Sequence, residues 1–192
     1  MNPVKTPVAV FISGRGSNME KLIEAAGGEH YPARICGVLS DKTEAAGLMF
    51  AAAHGIPTAA IERKDYADKV AHEAAIQKQL VLWGTEFIAL AGFMRILSPE
   101  FVSNWQRRLI NIHPSLLPKY KGLHTHARAL KAGDKVHGCS VHWVTPELDS
   151  GDVIAHAKVP VLAGDTQESL AARVLVEEHR LFAKALAQIL KA

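Results

Sequence analysis

The residues with the clearest capacity for chemistry are Asn111 and His113, which end a short apolar run that begins at Leu109. They stand two positions apart, so in a strand both side chains project from the same face. Pro114 has no N–H to donate and therefore stops the strand. The pattern holds an amide donor beside an imidazole that titrates near neutral pH. The alternative interpretation is a buried pair that only satisfies neighbouring backbone groups.

A carboxylate that could act with this pair is Asp149, in the glycine-containing turn Asp149-Ser150-Gly151-Asp152. An amide, an imidazole and a carboxylate together could carry out acyl transfer. Asn111 and His113 would stabilise the developing oxyanion, and Asp149 would move the proton off an attacking amine. The chain shows no obvious serine or cysteine nucleophile with a base, which favours direct transfer over an acyl-enzyme. Asp149 could instead serve the turn alone, since aspartate is common there.

A second motif, Gly14-Arg15-Gly16-Ser17-Asn18, lies between an apolar run and a helical pattern. Glycines let the backbone approach an anion closely, and a helix N-terminus supplies free N–H groups, so the motif favours phosphate binding. A dinucleotide-binding loop needs glycine where Met19 stands. Asp41, at the end of the second predicted strand, keeps that interpretation open. The remaining alternative is a plain turn with Ser17 or Asn18 as the helix cap.

Four histidines lie close together in the sequence, namely His124, His126, His137 and His142. The pair His124-x-His126 could ligate a metal, but no nearby cysteine or carboxylate completes a set with familiar spacing. We therefore expect no metal site. His137 and His142 are expected to flank or line a buried strand.

The elements that must position these residues alternate along the first half of the chain. Apolar runs predict strands at 8–13, 33–40, 58–61 and 86–91, and helical patterns lie at 19–26, 44–54 and 65–82. Such alternation predicts a parallel sheet with crossover helices, which binds ligands beyond the carboxyl ends of its strands.

The second half adds strands at 138–144 and 153–161, joined by an acidic turn, and a long helix at 166–190. Two strands joined by such a turn indicate an antiparallel addition to the sheet. The fold class is therefore α/β, a Rossmann-like and mostly parallel twisted sheet with flanking helices. We expect one domain over 1–192, with a phosphate-binding half at 1–97 and a catalytic half at 98–192.

Composition narrows the function classes. A chain of 192 residues with 48% hydrophobic residues can bury a substantial core, and its net charge of +3 argues against a dedicated nucleic-acid binder. Two cysteines without metal spacing, no signal peptide and no apolar run of about 20 residues predict a cytoplasmic protein without membrane spans. We expect small-molecule partners, and a monomer or a homodimer.

Six blocks of the sequence resemble, in the same order, blocks of the phosphoribosylglycinamide formyltransferases, the folate-dependent enzymes of purine synthesis. The blocks are 14–18, 90–98, 111–118, 122–126, 137–142 and 147–151. The resemblance implies the formyltransferase fold. It also implies transfer of the formyl group of 10-formyltetrahydrofolate, a co-substrate, to the amine of 5'-phosphoribosylglycinamide, with no tightly bound cofactor.

The resemblance also implies roles for individual positions. The phosphate and the ribonucleotide would be bound by Gly16, Ser17, Asn18 and Glu178. The folate would be bound by Arg63, Met94, Arg95, Ile96, Leu97, Thr145, Pro146, Glu147 and Leu148. The catalytic set would be Asn111, His113 and Asp149, which agrees with the acyl-transfer interpretation.

Three other functions remain as alternatives. A methionyl-tRNA formyltransferase would be expected to carry a further RNA-binding domain after this one. A formyltetrahydrofolate deformylase, in which water replaces the amine, would be expected to carry a regulatory domain before it. A phospho-ligand sensor would be expected to have lost Asn111, His113 or Asp149, and all three are present.

Overall fold

The computed structural model describes residues 4–191 and is built on a seven-stranded sheet in the order β3-β2-β1-β4-β5-β6-β7. The strands are β1 (Thr6–Ile12), β2 (Ala33–Ser40), β3 (Thr58–Ala60), β4 (Phe87–Leu90), β5 (Leu109–His113), β6 (Val136–Trp143) and β7 (Val153–Pro160). β1 to β5 run parallel, whereas β6 and β7 are antiparallel to their neighbours. The predicted α/β class and the antiparallel addition are both confirmed.

Helices cover both faces of the sheet. They are α1 (Ser17–Ala26), α2 (Ala46–Ala53), α3 (Lys69–Leu82), α4 (Pro99–Asn104), α5 (Thr125–Lys131) and α6 (Gln167–Ile189). One apolar core lies between the sheet and helices that include α1 and α6, and a second lies under α3 and α4. Within residues 4–191, no helix combines the length and the hydropathy that a membrane span requires.

The parallel strands bring the candidate residues to one edge of the sheet. β1 is buried on both faces after its first residue, which explains its unbroken apolar run. Because β1, β2, β4 and β5 point the same way, their carboxyl ends meet at this edge. The glycine motif follows β1, Asp41 follows β2, residues 91–97 follow β4, and His113 ends β5.

One predicted helix begins later than expected. The pattern predicted a helix from 65, but α3 begins at Lys69, where the side chain of Asp68 accepts a hydrogen bond from the Ala71 N–H at 2.8 Å. A separate 3-10 turn, Arg63–Asp65, precedes it. The guanidinium of Arg63 donates to the Tyr66 carbonyl at 2.7 Å and holds this turn apart from the helix.

Candidate active site

Asn111 and His142 lie opposite each other across the antiparallel pair of β5 and β6. The amide Nδ2 of Asn111 lies 3.2 Å from Nε2 of His142, and Nδ1 of His142 lies 2.9 Å from the Trp143 carbonyl oxygen. A carbonyl oxygen only accepts, so Nδ1 donates to it and Nε2 is left to accept from the amide. His142 thereby orients the Asn111 amide, whose second N–H stays available as a donor.

Asp149 lies close to both His113 and His142. Its Oδ2 lies 3.5 Å from His113 Nδ1, and its Oδ1 lies 3.6 Å from His142 Nε2. Oδ2 also accepts the Gly122 N–H at 2.8 Å. The backbone of Asp149 is in the left-handed region at φ +48°, a conformation that non-glycine residues adopt mainly where surrounding contacts hold them. The structure thus places the carboxylate beside the Asn111/His113 pair.

His113 is buried and uses both ring nitrogens. Its Nε2 lies 2.9 Å from the Tyr120 carbonyl oxygen, so this nitrogen carries a proton and donates. Burial lowers the pKa of His113, although the Tyr120 carbonyl and the charge of Asp149 oppose the shift. The neutral ring therefore presents an unprotonated Nδ1 toward Asp149. The geometry differs from the expected direct oxyanion donor, because the one N–H of the neutral ring, on Nε2, is already donated to the Tyr120 carbonyl.

Asp149 is held in its ionised form. Burial by itself would raise its pKa, but hydrogen bonding from His142 when its Nε2 is protonated, hydrogen bonding from the Gly122 N–H, and the positive charge of His113 or His142 when protonated lower the pKa below its ordinary value. An ionised carboxylate 3.5 Å from a neutral imidazole nitrogen is an arrangement in which one proton can be accepted and shared.

The loop after β5 is fixed by two serines as well as by its prolines. Ser140 Oγ donates to the Ser115 carbonyl at 2.6 Å and accepts the Leu117 N–H at 3.0 Å. Ser115 Oγ donates to the Lys119 carbonyl at 2.7 Å. These contacts close the loop on β6 and keep His113 in place.

The glycine motif forms an open concave site. Gly16 is the N-cap of α1 at φ +73°, and no side chain caps the helix, so neither Ser17 nor Asn18 has that role. A cavity of about 380 Å³ lies over the loop; it is lined by Ser13, Gly14, Arg15, Gly16, Ser17, Asn18, Lys42, Ala91, Gly92 and Met94. Backbone N–H groups at a helix N-terminus beside Arg15 and Lys42 suit an anion.

Glu178 lies behind this loop. The Asn18 amide donates to Glu178 Oε2 at 2.7 Å, and both side chains are buried. Burial raises the pKa of Glu178, and the hydrogen bond from Asn18 opposes the shift. Asn18 Oδ1 is buried and has no hydrogen-bond partner in the part of the chain that the structure describes. Glu178 therefore lies next to the residues expected to bind the nucleotide, and it contacts Asn18, which lines the cavity.

A second cavity, of about 320 Å³, gathers five of the nine residues expected to bind folate. It is lined by Arg63, Lys69, His72, Glu73, Met94, Arg95, Ile96 and Leu97. The other four, Thr145, Pro146, Glu147 and Leu148, do not line it and lie in the loop that leads to Asp149, where the last three are exposed. The two cavities share Met94 as a common wall.

Two of the other histidines, His126 and His137, lie next to each other. His126 Nδ1 lies 3.1 Å from His137 Nε2. His137 and His142 are buried in β6, as predicted. Across residues 4–191, no three His, Cys, Asp or Glu side chains are grouped to hold a metal.

His142 is the member of the site that sequence reasoning missed. It was expected only to line a strand, yet it orients Asn111 and contacts Asp149. No pattern in the sequence indicates this role, because it depends on the β5–β6 register, which pairs His142 with Asn111.

Comparison with known proteins agrees with this geometry. Residues 6–186 match the model of the formyl transferase family. A phosphoribosylglycinamide formyltransferase of Escherichia coli K12 is 46% identical over 91% of this chain and 82% of its own length. A human trifunctional purine biosynthetic protein, adenosine-3, is 44% identical over 95% of this chain, which spans 18% of that protein.

Solved structures give the same result. The crystal structure of phosphoribosylglycinamide formyltransferase from Brucella melitensis is 53% identical and superposes with a TM-score of 0.94, covering 98% of this chain and 97% of that one. A glycinamide ribonucleotide transformylase 1 from Geobacillus kaustophilus is 35% identical, with a TM-score of 0.93 over 97% and 99% of the two chains. With the family model, the relatives and the fold in agreement, the chain belongs to the formyl transferase family.

Proposed function

We propose that the protein transfers the formyl group of 10-formyltetrahydrofolate to the amine of 5'-phosphoribosylglycinamide, giving formylglycinamide ribonucleotide and tetrahydrofolate. The observation that carries the proposal is the cluster of Asn111, His113, His142 and Asp149 at the sheet edge that also holds the two cavities. Relatives named for this reaction match nearly the whole chain.

In the proposed reaction the glycinamide amine attacks the formyl carbon, and a C–N bond forms. The free N–H of Asn111 donates to the oxyanion that develops on the former carbonyl oxygen. The proton lost by the attacking amine moves to Asp149 and is shared with His113 Nδ1. Protonated His113 then adds positive charge near the oxyanion. As the intermediate collapses, the carbonyl re-forms, the bond to N10 of the folate breaks, and N10 takes the proton that Asp149 and His113 share.

Each cavity would bind one of the two substrates in this reaction. The glycine loop, with Gly16, Ser17 and Asn18, would bind the phosphate, and Glu178 would help to hold the ribonucleotide through Asn18. The second cavity, with Arg63 and Met94 to Leu97, would receive the folate. The loop 145–148, which is exposed from Pro146 onward and leads to Asp149, would close on the pterin.

The direct test is to incubate purified protein with both substrates and to follow folate absorbance. We expect turnover that requires the nucleotide. Folate turnover in its absence would show a deformylase, since water would then be the acceptor. Turnover with charged initiator tRNA in place of the nucleotide would show a tRNA formyltransferase. An absence of turnover with every acceptor would favour a phospho-ligand sensor.

In this proposal the active protein is a monomer or a homodimer in the cytoplasm. The four residues of the cluster come from one chain, so chemistry needs no residue from a partner. Both thiols, Cys36 and Cys139, are buried and unpaired, as suits a reducing compartment. Light scattering at working concentration would determine the oligomeric state.

A further inference from the structure

Asp41 is the residue that kept a dinucleotide interpretation open, and the structure gives it a different environment. Its side chain is 3% exposed, and its Oδ2 lies 2.9 Å from Nε of Arg95. The other carboxylate oxygen, Oδ1, is buried and has no hydrogen-bond partner among residues 4–191. A buried carboxylate is costly unless it is paired, so Arg95 compensates this charge. The carboxylate therefore faces the protein and is unavailable to a ribose hydroxyl.

Arg95 belongs to the wall of the second cavity that residues 94–97 form, of which Met94 alone also lines the first cavity. That wall is anchored at three points. The Met94 N–H donates to Ser13 Oγ at 2.8 Å, Arg95 pairs with Asp41, and Ser98 donates to Glu73 through its N–H at 2.8 Å and through its hydroxyl. The anchors come from the ends of β1 and β2 and from α3, and the anchor at Asp41 is ionic.

We propose that Asp41 is a positioning residue for the folate. It holds Arg95, and through Arg95 it fixes the wall 94–97 in the geometry that the folate needs before either substrate binds. This inference rests on the proposed function, because it takes the second cavity as the folate site. Ordering a long arginine side chain costs conformational entropy. Because the Asp41–Arg95 pair orders Arg95 before the folate binds, folate binding does not include that cost.

The test is the variant Asp41→Asn, which keeps the size of the side chain and an oxygen that can accept from Arg95 but removes the charge. We expect the KM for 10-formyltetrahydrofolate to rise about tenfold, because the neutral amide keeps only part of the strength of a hydrogen bond between two charged groups. The kcat and the KM for the nucleotide should stay within about twofold, because Asp41 contacts neither the catalytic cluster nor the glycine loop.

The role of Arg95 is tested by a double-mutant cycle with Arg95→Gln. In that background Asp41→Asn should add no further rise in the folate KM. A full tenfold rise in both backgrounds would overturn the inference, since Asp41 would then act by another route. Equal changes in kcat and in both KM values would also overturn it, because a general structural defect gives that pattern.

A matched control is Asp165→Asn. Asp165 is similarly buried, at 4% exposure, and pairs with Arg173 at 2.7 Å outside both cavities. It should leave the folate KM unchanged although it removes a comparable ion pair. Titration calorimetry with a stable 5-deaza analogue of tetrahydrofolate should show the same tenfold loss of affinity for Asp41→Asn. If wild-type protein failed to transfer formyl, the proposed function would fall, yet this titration would still decide the role of Asp41.

Discussion

The catalytic cluster and the glycine loop lie at the same edge of the sheet but are built in opposite ways. The cluster is largely buried, and its polar groups contact one another: Asn111 forms a hydrogen bond with His142, and Asp149 lies within 3.6 Å of two imidazoles. The loop lies under an open cavity and presents backbone groups at an uncapped helix N-terminus. One region is complete before substrate arrives, and the other is completed by substrate.

This difference matches the two tasks. Proton transfer and oxyanion stabilisation need groups held at fixed distances with shifted pKa values, so the cluster is enclosed. Phosphate recognition needs several N–H donors that water can solvate in the free state, so the loop is open. We therefore expect changes in the cluster to lower kcat and changes in the loop to raise the KM for the nucleotide.

The largest expected effect is from Asp149→Asn. The amide keeps an oxygen for the Gly122 N–H but cannot accept the proton of the attacking amine, so kcat should fall by ~10³-fold. The KM for the nucleotide should hardly change. Steady-state kinetics with Asp152→Asn, an exposed position in the same loop, provides the control. Loss of nucleotide binding in Asp149→Asn would instead show a structural role and would erase the distinction between cluster and loop.

The next effect is from Asn111→Ala, which removes the proposed oxyanion donor. We expect kcat to fall by ~10²-fold, the usual scale for one such donor. Asn104→Ala, at an exposed position at the end of α4, should keep the wild-type rate. A near wild-type kcat for Asn111→Ala would remove Asn111 from that role.

A smaller effect, on the KM for the nucleotide and not on kcat, is expected from Gly16→Ala. A Cβ there would lie 3.0 Å from the Met19 side chain and 3.3 Å from Ile12, at φ +73°. The Met19 and Ile12 side chains must give way and the φ of +73° strains an alanine in the phosphate loop, so the KM for the nucleotide should rise by about tenfold while kcat changes little. Gly55→Ala is the matched control, because Gly55 has φ +71° and open space around its Cα. Both variants should lose roughly 1 kcal/mol of stability, and an equal KM change in both would refute the assignment.

The smallest effect concerns the pH dependence of stability. Burial lowers the pKa of His137 to about 4, and burial also lowers the pKa of its neighbour His126. Below about pH 6.5 the unfolded chain binds protons that the folded protein excludes, so the free energy of unfolding should fall between about pH 6.5 and about pH 4. Urea unfolding at pH 7.5 and 5.0 should show a pH dependence reduced by on the order of 1 kcal/mol in His137→Gln. An unchanged dependence would show that His137 titrates normally.

Several features could be predicted from local sequence because their physical causes are local. The apolar run of β1 followed by Gly14 to Asn18 predicted a strand, a loop and a helix, and all three are confirmed. The two-residue spacing predicted that Asn111 and His113 share a face of β5, and β5 spans both residues. The start of α3 was predicted wrongly, because the helical spacing of the sequence begins at 65. The structure has a separate 3-10 turn there, which the Arg63 hydrogen bond keeps apart from the helix.

The sequence by itself determined the α/β alternation, the glycine loop and the residue types that can perform acyl transfer. The tertiary structure decided which of these residues meet. His142 contacts Asn111 across 31 positions of the chain, and Asp41 contacts Arg95 across 54. Such contacts depend on strand register and on the way the chain returns to the sheet. Hydrophobic periodicity reports which face of an element is buried but not which residue of another element lies opposite.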